Sequence, residues 1–571
     1  MSKIMKKRHL YTILGGMLCS LTAAAQGELA ADTTVNRTVV VEQNYLPEVA
    51  DATKINVLPS VEQPSVEKSP VAYANQPAPS VEIPAGKMAV IGTERPARRI
   101  GTGFLRAGYG NRGNLDAAAS FLFRLSARDR LSLGVLSKGM KGDVPMITQK
   151  DGLWDAFDYQ TQANVGYSHL FRKVEFNLAG NVNVRHFNYM PDMAMGINQN
   201  FLSGSAHVGV QSSDAMEQVR FKAETNMMLY RRRLTLVDDK TREMRVKTAA
   251  EVSGSISDAS TVTVGVEMNN LIYNQPKLEG MPRFESRTTL DLNPSYEYNN
   301  NGKMVRIGAN VDLSMGAGKA FRISPDVEAQ LTFANSYVLF LNATGGRKLS
   351  DFRRLENENP LITENPRITD NTRLVDTYEL VNASLGLKAS PANGLWFLLA
   401  GGYQYLQDDL YTDCDVAMPE CQGCPNLYYY ARHTDAYNFF AQVRLSYAFK
   451  QFVDFTAGFE YRTWNAKSDF GYLYLSQRPN YKLDVQLGIR PIASLHVHVG
   501  YNYLVRCEEL IPPYGTASKQ LNDLYLSASY DVLRWLSVYT RMNNLLNERG
   551  CVIPFVPQQG FNFVVGLRCQ F

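Results

Sequence analysis

The sequence predicts an all-β fold: a transmembrane antiparallel β-barrel of about 22 strands behind an extended Pro-rich N-terminal segment. Three observations predict it. Apolar and polar residues alternate at period two from about residue 101 to the end, the signature of strands with one greasy and one wetter face. Short and long connections alternate down most of that stretch. The chain closes on an alternating strand that stops at Phe571.

The bulk numbers agree. A net charge of +4 over 571 residues, with no basic stripe, argues against a nucleic-acid partner. After the N-terminus no apolar run reaches the length of a transmembrane helix. The chain has 31 Tyr against 26 Phe, which suits interfacial girdles, where a ring seeks grease and a hydroxyl seeks water.

Residues 1–25 read as a signal peptide. Lys3, Lys6, Lys7 and Arg8 precede the apolar stretch from Leu10 to Leu21. Ala23, Ala24 and Ala25 place cleavage before Gln26. Cys19 follows Leu18, where a lipobox needs a small residue, so it is expected to leave with the signal.

Residues 26–100 form a Pro-rich leader, expected in the periplasm. Pro47, Pro59, Pro64, Pro70, Pro77, Pro79, Pro84 and Pro96 break helix and ladder alike. Within it, Thr38, Val39, Val40 and Val41 could pair as a strand with a partner. The leader reads as flexible chain, as a docking segment for a periplasmic or outer-membrane protein, or as a tail occluding the lumen.

Residues 101–571 are the barrel. Strands are expected to begin near Phe104, Leu115, Leu131, Tyr159, Val174, Phe201, Val219, Met244, Val262, Ser286, Met304, Phe321, Tyr337, Tyr378, Leu395, Tyr437, Val453, Lys482, Leu495, Asp523, Leu536 and Phe561. Short turns at 127–129, 171–172, 257–259, 299–302, 391–394, 450–451, 491–493 and 533–534 define one end. Long connections, among them 139–157, 186–198, 348–374, 407–435, 465–480, 506–520 and 545–559, define the other. Outer-membrane barrels have this asymmetry, with short periplasmic turns and long outer loops. The short turn 316–319 is the exception, since it falls on the outer end.

Alternation assigns the faces. Tyr437, Phe439, Val443, Leu445, Tyr447 and Phe449 oppose Asn438, Gln442, Arg444 and Ser446. Charge on a lipid face is costly, so the polar set is expected to look into the lumen. A barrel of this size encloses a wide lumen, which inward-folded outer loops, the leader or another protein must fill.

At the C-terminus, Phe561, Phe563, Val565, Leu567 and Phe571 share one face. They resemble the assembly signal of bacterial outer-membrane barrels, which implies the barrel assembly machinery as a partner in biogenesis and outer-membrane lipid as the surroundings. Arg541-Met542-Asn543-Asn544-Leu545-Leu546-Asn547, then Gln559-Gly560-Phe561 and Val565-Gly566-Leu567, resemble the end of a TonB-dependent receptor barrel. The likeness covers about 101–571, and the Ala-Gln cleavage style and leader resemble plugless barrels of this type from Bacteroidetes. The resemblance implies transport across the outer membrane. Those receptors carry a globular plug of well over a hundred residues, which 26–100 cannot hold, so energised uptake is not implied. The missing plug fits a second reading, a non-transporting subunit of an outer-membrane complex.

Local constellations are few. Cys414, Cys421 and Cys424 lie in one outer loop, with Cys507 and Cys551 in later ones. An exported location favours disulfides: one bridge within 414–424 and another reaching Cys507 or Cys551. A metal held by these thiols and His433 is the weaker reading, because only one C-x-x-C is present. Cys569 is expected to stay unpaired on the lipid face. His496 and His498 read as wall residues, so no catalytic site and no cofactor are expected. Tyr428 to Tyr430, Tyr472 and Tyr474 read as girdle or loop packing, or else as a stacking platform for sugar or peptide. Arg231, Arg232 and Arg233 sit at an outer hairpin, where they either contact lipopolysaccharide phosphates or are simply solvated. Gly345, Gly346, Gly401 and Gly402 are expected to mark bends or close approach within strands.

Overall fold

A computed structural model describes residues 102–146, 152–193, 198–213, 218–233, 240–274, 284–316, 318–334, 336–363, 374–416, 427–467, 471–507, 520–553 and 556–571. The signal peptide, the leader with Thr38 to Val41, and Cys421 and Cys424 lie outside the described residues.

The expected barrel forms. Its strands are β1 (Gly103–Gly110), β2 (Leu115–Arg124), β3 (Asp129–Pro145), β4 (Leu153–Leu170), β5 (Val174–Asn188), β6 (Asn198–Ser212), β7 (Val219–Arg233), β8 (Lys240–Ser257), β9 (Ser260–Asn274), β10 (Arg287–Asn300) and β11 (Lys303–Met315). They continue as β12 (Phe321–Phe333), β13 (Tyr337–Lys348), β14 (Thr377–Ala392), β15 (Leu395–Val416), β16 (Leu427–Phe449), β17 (Val453–Ala466), β18 (Pro479–Ile492), β19 (Leu495–Arg506), β20 (Gln520–Leu533), β21 (Leu536–Asn543) and β22 (Asn562–Gln570).

Each strand pairs antiparallel with the next, and β1 pairs with β22 to close a 22-stranded sheet. At the seam Phe104 faces Gln570 and Gly110 faces Val564. Gly103 and Phe571 exchange backbone hydrogen bonds of 2.9 and 3.0 Å, and the Phe571 ring rests 5.6 Å from Phe121. The terminal Phe is thus built into the ladder.

Leu133, Val165, Leu178, Val208, Leu229, Val264, Ile307, Leu341, Leu385, Leu399, Val443 and Leu567 are exposed on the outer face. They form an apolar belt of the kind a hydrocarbon layer covers. Phe123, Phe171, Phe333, Phe449, Trp535 and Phe571 are exposed at the short-turn end, where a girdle belongs. Cys569 is a free thiol of the outward register, between Leu105 and Leu536.

The inner face is polar. Beside the seam Arg106 pairs with Asp116 at 2.9 Å, and Tyr539 donates to the same carboxylate at 2.9 Å. The Tyr539 ring lies over Gly108 and Gly566, where a Cβ would collide with it. At Gly346 the backbone adopts φ +138° and the register slips between Thr344 and Gly346, a bulge that bends β13.

The expected strand starts agree closely where strands leave the short turns, as at Val174, Val219, Leu395, Val453, Leu495 and Leu536. They fall late at most strands that descend from the long loops, although Ser286 and Phe561 each precede their strand by one residue. β4 begins at Leu153 rather than Tyr159, and β16 at Leu427 rather than Tyr437. The expected long connections 139–157 and 407–435 shrink accordingly, because β3 runs on to Pro145 and β15 to Val416. Above the apolar belt one face no longer needs to be greasy, so the ladder continues while the alternation stops. Two connections at the long-loop end are short, 111–114 as well as the expected one near 316–319.

A Cβ at Gly110 would drive into the Phe563 carbonyl across the seam. Gly110→Val is expected to abolish the heat-modifiable, fast-migrating band on unboiled gels. Gly401→Ala, whose nearest neighbour would stand 3.5 Å away, is expected to keep it.

Candidate functional site

The connection between β13 and β14 is here called loop 7 (349–376), and its described residues, 349–363 and 374–376, fold into the barrel mouth. It carries a short helix, α1 (Phe352–Glu358). Asp351 caps this helix by accepting from the Arg354 N–H at 2.9 Å. Glu243 on β8 accepts from the Phe352 N–H at 2.9 Å, so wall and loop share the orphan donors of the first turn.

α1 brings an apolar core into the mouth. Phe352 and Leu355 are 0% and 1% exposed. The Phe352 ring meets Tyr230 of β7, Tyr273 of β9 and Phe284 at centroid distances of 5.9, 5.3 and 5.0 Å. The same core takes in Phe187 and Phe201 on β5 and β6, Met190 and Met193 between those strands, and Leu410 and Tyr429 on β15 and β16. β5–β9 and β15–β16 lie on opposite arcs of a ring of 22 strands. The cluster therefore joins two separate arcs of the wall across the mouth.

Charged groups fasten the cover to the wall. The Arg287 guanidinium binds Asp376 at 2.6 Å and the Ser350 carbonyl at 2.8 Å, with both side chains of the ion pair nearly fully buried. Arg245 reaches Asp351 at 3.0 Å. Tyr230 donates to Glu356 at 2.7 Å, and Arg185 stands 3.4 Å from the same carboxylate. Arg232, wholly buried, donates to the Ile362 carbonyl at 2.9 Å and stacks 4.6 Å from the Phe201 ring. Among the described residues of loop 7, Asp351, Glu356 and Asp376 thus each meet an inward arginine. Buried charges tolerate such a place only when paired and hydrogen-bonded.

A second junction sits where β15 slips register between Leu406 and Asp409, with Asp408 at φ +55°. The slip turns Asp409 toward the loops. It receives Arg354 of α1 at 3.3 Å, Arg478 at 2.8 Å and the Tyr474 hydroxyl at 2.9 Å. Tyr474 lies on α2 (Gly471–Leu475) in the connection 467–478. Burial pushes its phenol above the ordinary range, which keeps it a neutral donor.

The other expected residues divide clearly. Tyr429, Tyr430 and Tyr474 are buried in loop packing, which overturns a stacking platform at these three. His433 uses both ring nitrogens on backbone, Nδ1 with the Asp408 carbonyl at 3.0 Å and Nε2 accepting from the Val375 N–H at 3.4 Å, so it is not aimed at thiols. Cys414 packs between the two loop cores, Cys507 follows directly on β19, and Cys551 is buried, with its carbonyl held by the Arg506 guanidinium at 2.6 Å. His496 and His498 share the inward wall of β19, and His496 lies 3.9 Å from Asp531. Arg231 to Arg233 do not act as one cluster, since Arg232 points into the lumen and Arg231 away from it. The sequence reading missed the inward arginines because nothing local distinguishes a wall arginine that binds a loop from one that faces water. The one available signal was the burst of acidic residues at 351–358.

Arg287→Met would take from buried Asp376 the nearer of its two arginines, leaving Arg347 at 3.5 Å, a loss of about 1.5–3 kcal/mol. Trypsin is expected to cut the folded barrel at Arg353 or Arg354 at least about tenfold faster in this variant. Unchanged protection of loop 7 would contradict the assigned latch.

No model of a known protein family matches the chain, and no curated protein matches it. Solved structures do. The fold is similar to the siderophore receptor PirA from Pseudomonas aeruginosa, at 13% identity over 82% of this chain and 80% of that one, with a TM-score of 0.57. A mutant of the ferric enterobactin receptor PfeA from the same organism, in complex with enterobactin, gives 12% identity, 82% and 81% coverage and a TM-score of 0.61. The FrpB iron transporter from Neisseria meningitidis gives 10% identity, 82% and 81% coverage and a TM-score of 0.63. The likeness is one of fold: this chain shares its barrel architecture with these receptors and this transporter.

Proposed function

We propose that this chain is an outer-membrane barrel of the transport type, whose outer mouth is shut at rest by its own loop 7. The observation that carries the proposal is the apolar core on α1, which joins two separate arcs of the wall across the mouth and is tied by buried ion pairs. The belt, the girdle and the asymmetry of the connections support membrane insertion, with the short turns in the periplasm. A lumen this wide needs a closure, and a loop held by a few charge pairs is a closure that can be released.

The second reading is a non-transporting subunit of an outer-membrane complex. The cover is packed like a protein interior, which suits a permanently filled barrel. The Pro-rich leader, with Thr38, Val39, Val40 and Val41 as a strand-forming piece, would then recruit a periplasmic partner.

Three further assignments belong to either reading. Phe561, Phe563, Val565, Leu567 and Phe571 serve as the signal read during barrel assembly. Disulfides among Cys414, Cys421, Cys424, Cys507 and Cys551 brace the outer loops, and peptide mapping without reductant tests them. No enzymatic activity is assigned, in keeping with structural neighbours that are receptors and transporters.

Two measurements separate the readings. In planar bilayers the native barrel is expected to be silent, and Leu355→Asp combined with Arg287→Met to give discrete conductance steps. A double variant that stays silent, together with a stoichiometric partner lost on deleting 26–100, would replace transport by the complex-subunit reading.

A further inference from the structure

The arginines left over by the cover point to a lipid. In the run 231–233, strand alternation sends Arg232 inward and Arg231 outward, on the same face as the exposed Met227 and Leu229. On β8 the exposed Arg242 is the direct register partner of Arg231. Like charges placed opposite each other across a ladder destabilise it. Among the described residues the direct register partners on the flanking strands carry no carboxylate: β6 sets Leu202 beside Arg231, and β9 sets Asn274 beside Arg242; Asp238 and Asp239 of the connecting hairpin lie outside the described residues. The next register pair of the same parity is Arg233 with Lys240, so basic composition is repeated toward the loop.

The height of the pair matters as much as its charge. Arg231 lies two residues beyond Leu229, which is 52% exposed, and the neighbouring Ile272 of β9 is 42% exposed. One same-face step along a strand is about 7 Å. Arg231 and Arg242 therefore stand just above the apolar belt at the long-loop end, where acyl chains give way to headgroups. Two guanidinium forks at cross-strand distance can grip one tetrahedral phosphate, or two phosphates of one headgroup, by charge-assisted bidentate hydrogen bonds.

We infer that Arg231 and Arg242 form a binding site for the phosphate of a phosphorylated lipid in the outer leaflet, whose acyl chains lie against Met227, Leu229 and Ile272. The inference rests on the outer-membrane orientation proposed above.

The test uses the full-length protein in mild detergent, with native mass spectrometry and diphosphoryl lipid A as the probe. The native protein is expected to retain one lipid A, and Arg231→Gln with Arg242→Gln to bind it at least about tenfold more weakly. Arg220→Gln, at the short-turn end of β7, is expected to bind lipid A as the native protein does. Millimolar inorganic phosphate is expected not to compete, because it lacks the acyl contacts. Equal lipid A binding by the double variant would overturn the site, and full competition by inorganic phosphate would replace the lipid with a free anion. The heat-modifiable band and insertion into vesicles report the barrel independently. A barrel that inserts but ignores lipid A refutes this site alone, whereas one that does not insert refutes the membrane reading.

Discussion

Everything in this protein depends on closing the sheet. In hydrocarbon no water is available to satisfy a stray N–H or C=O, so an open edge is excluded and the last strand must find the first. The closing contact joins residues at opposite ends of the described chain, Gly103 with Phe571 and Gly110 with Val564. It is also the place least tolerant of bulk. Small residues let β1 and β22 approach, and the Tyr539 ring fills the space that the glycines leave on the lumen side. The terminal Phe meets both demands of its position: its backbone completes the ladder and its ring joins the girdle.

Closure creates the second constraint. A ring of 22 strands has an interior too wide for wall side chains to fill. The chain answers with a miniature soluble core, built where the strands rise above the belt. Its apolar part is held by ordinary burial. Its polar part needs more care, because loop 7 brings Asp351, Glu356 and Asp376 into a place that excludes water. Arg245, Arg185 and Arg287 neutralise them one by one. Such pairs add modest stability over an apolar core, but they impose position, since a displaced loop would leave several buried charges unpaired at once.

The fold was legible in the sequence because lipid enforces the alternation. Wherever a strand touches the belt, a greasy residue must recur at period two, and the starts at Val174, Leu395 and Leu495 could be read directly. The same logic explains the misplaced starts. Leu427 to Ala436 belongs to β16 but stands above the belt, where Tyr429, Tyr430 and Ala431 are all buried and no simple period is kept. The cover was less legible still. Its core joins Phe187, Phe352 and Tyr429, which are distant in sequence and unremarkable in their local surroundings. Arg231 to Arg233 looked like one basic patch, and only the pleat of β7 shows that neighbours in sequence serve opposite sides of the wall.

The latches of loop 7 also fix an order of events. Arg185 and Glu356 are 171 residues apart in the chain, and the Tyr230 bond to Glu356 spans 126. Contacts of such separation repay their loop-closure entropy only after the intervening strands are in place. The cover therefore cannot complete before the strands that carry Arg185 and Tyr230 are in place beside it. By the same token it is the part that can come undone first while the ladder beneath stays whole. Maturation and release are then one local transition run in opposite directions, independent of the bilayer-spanning framework.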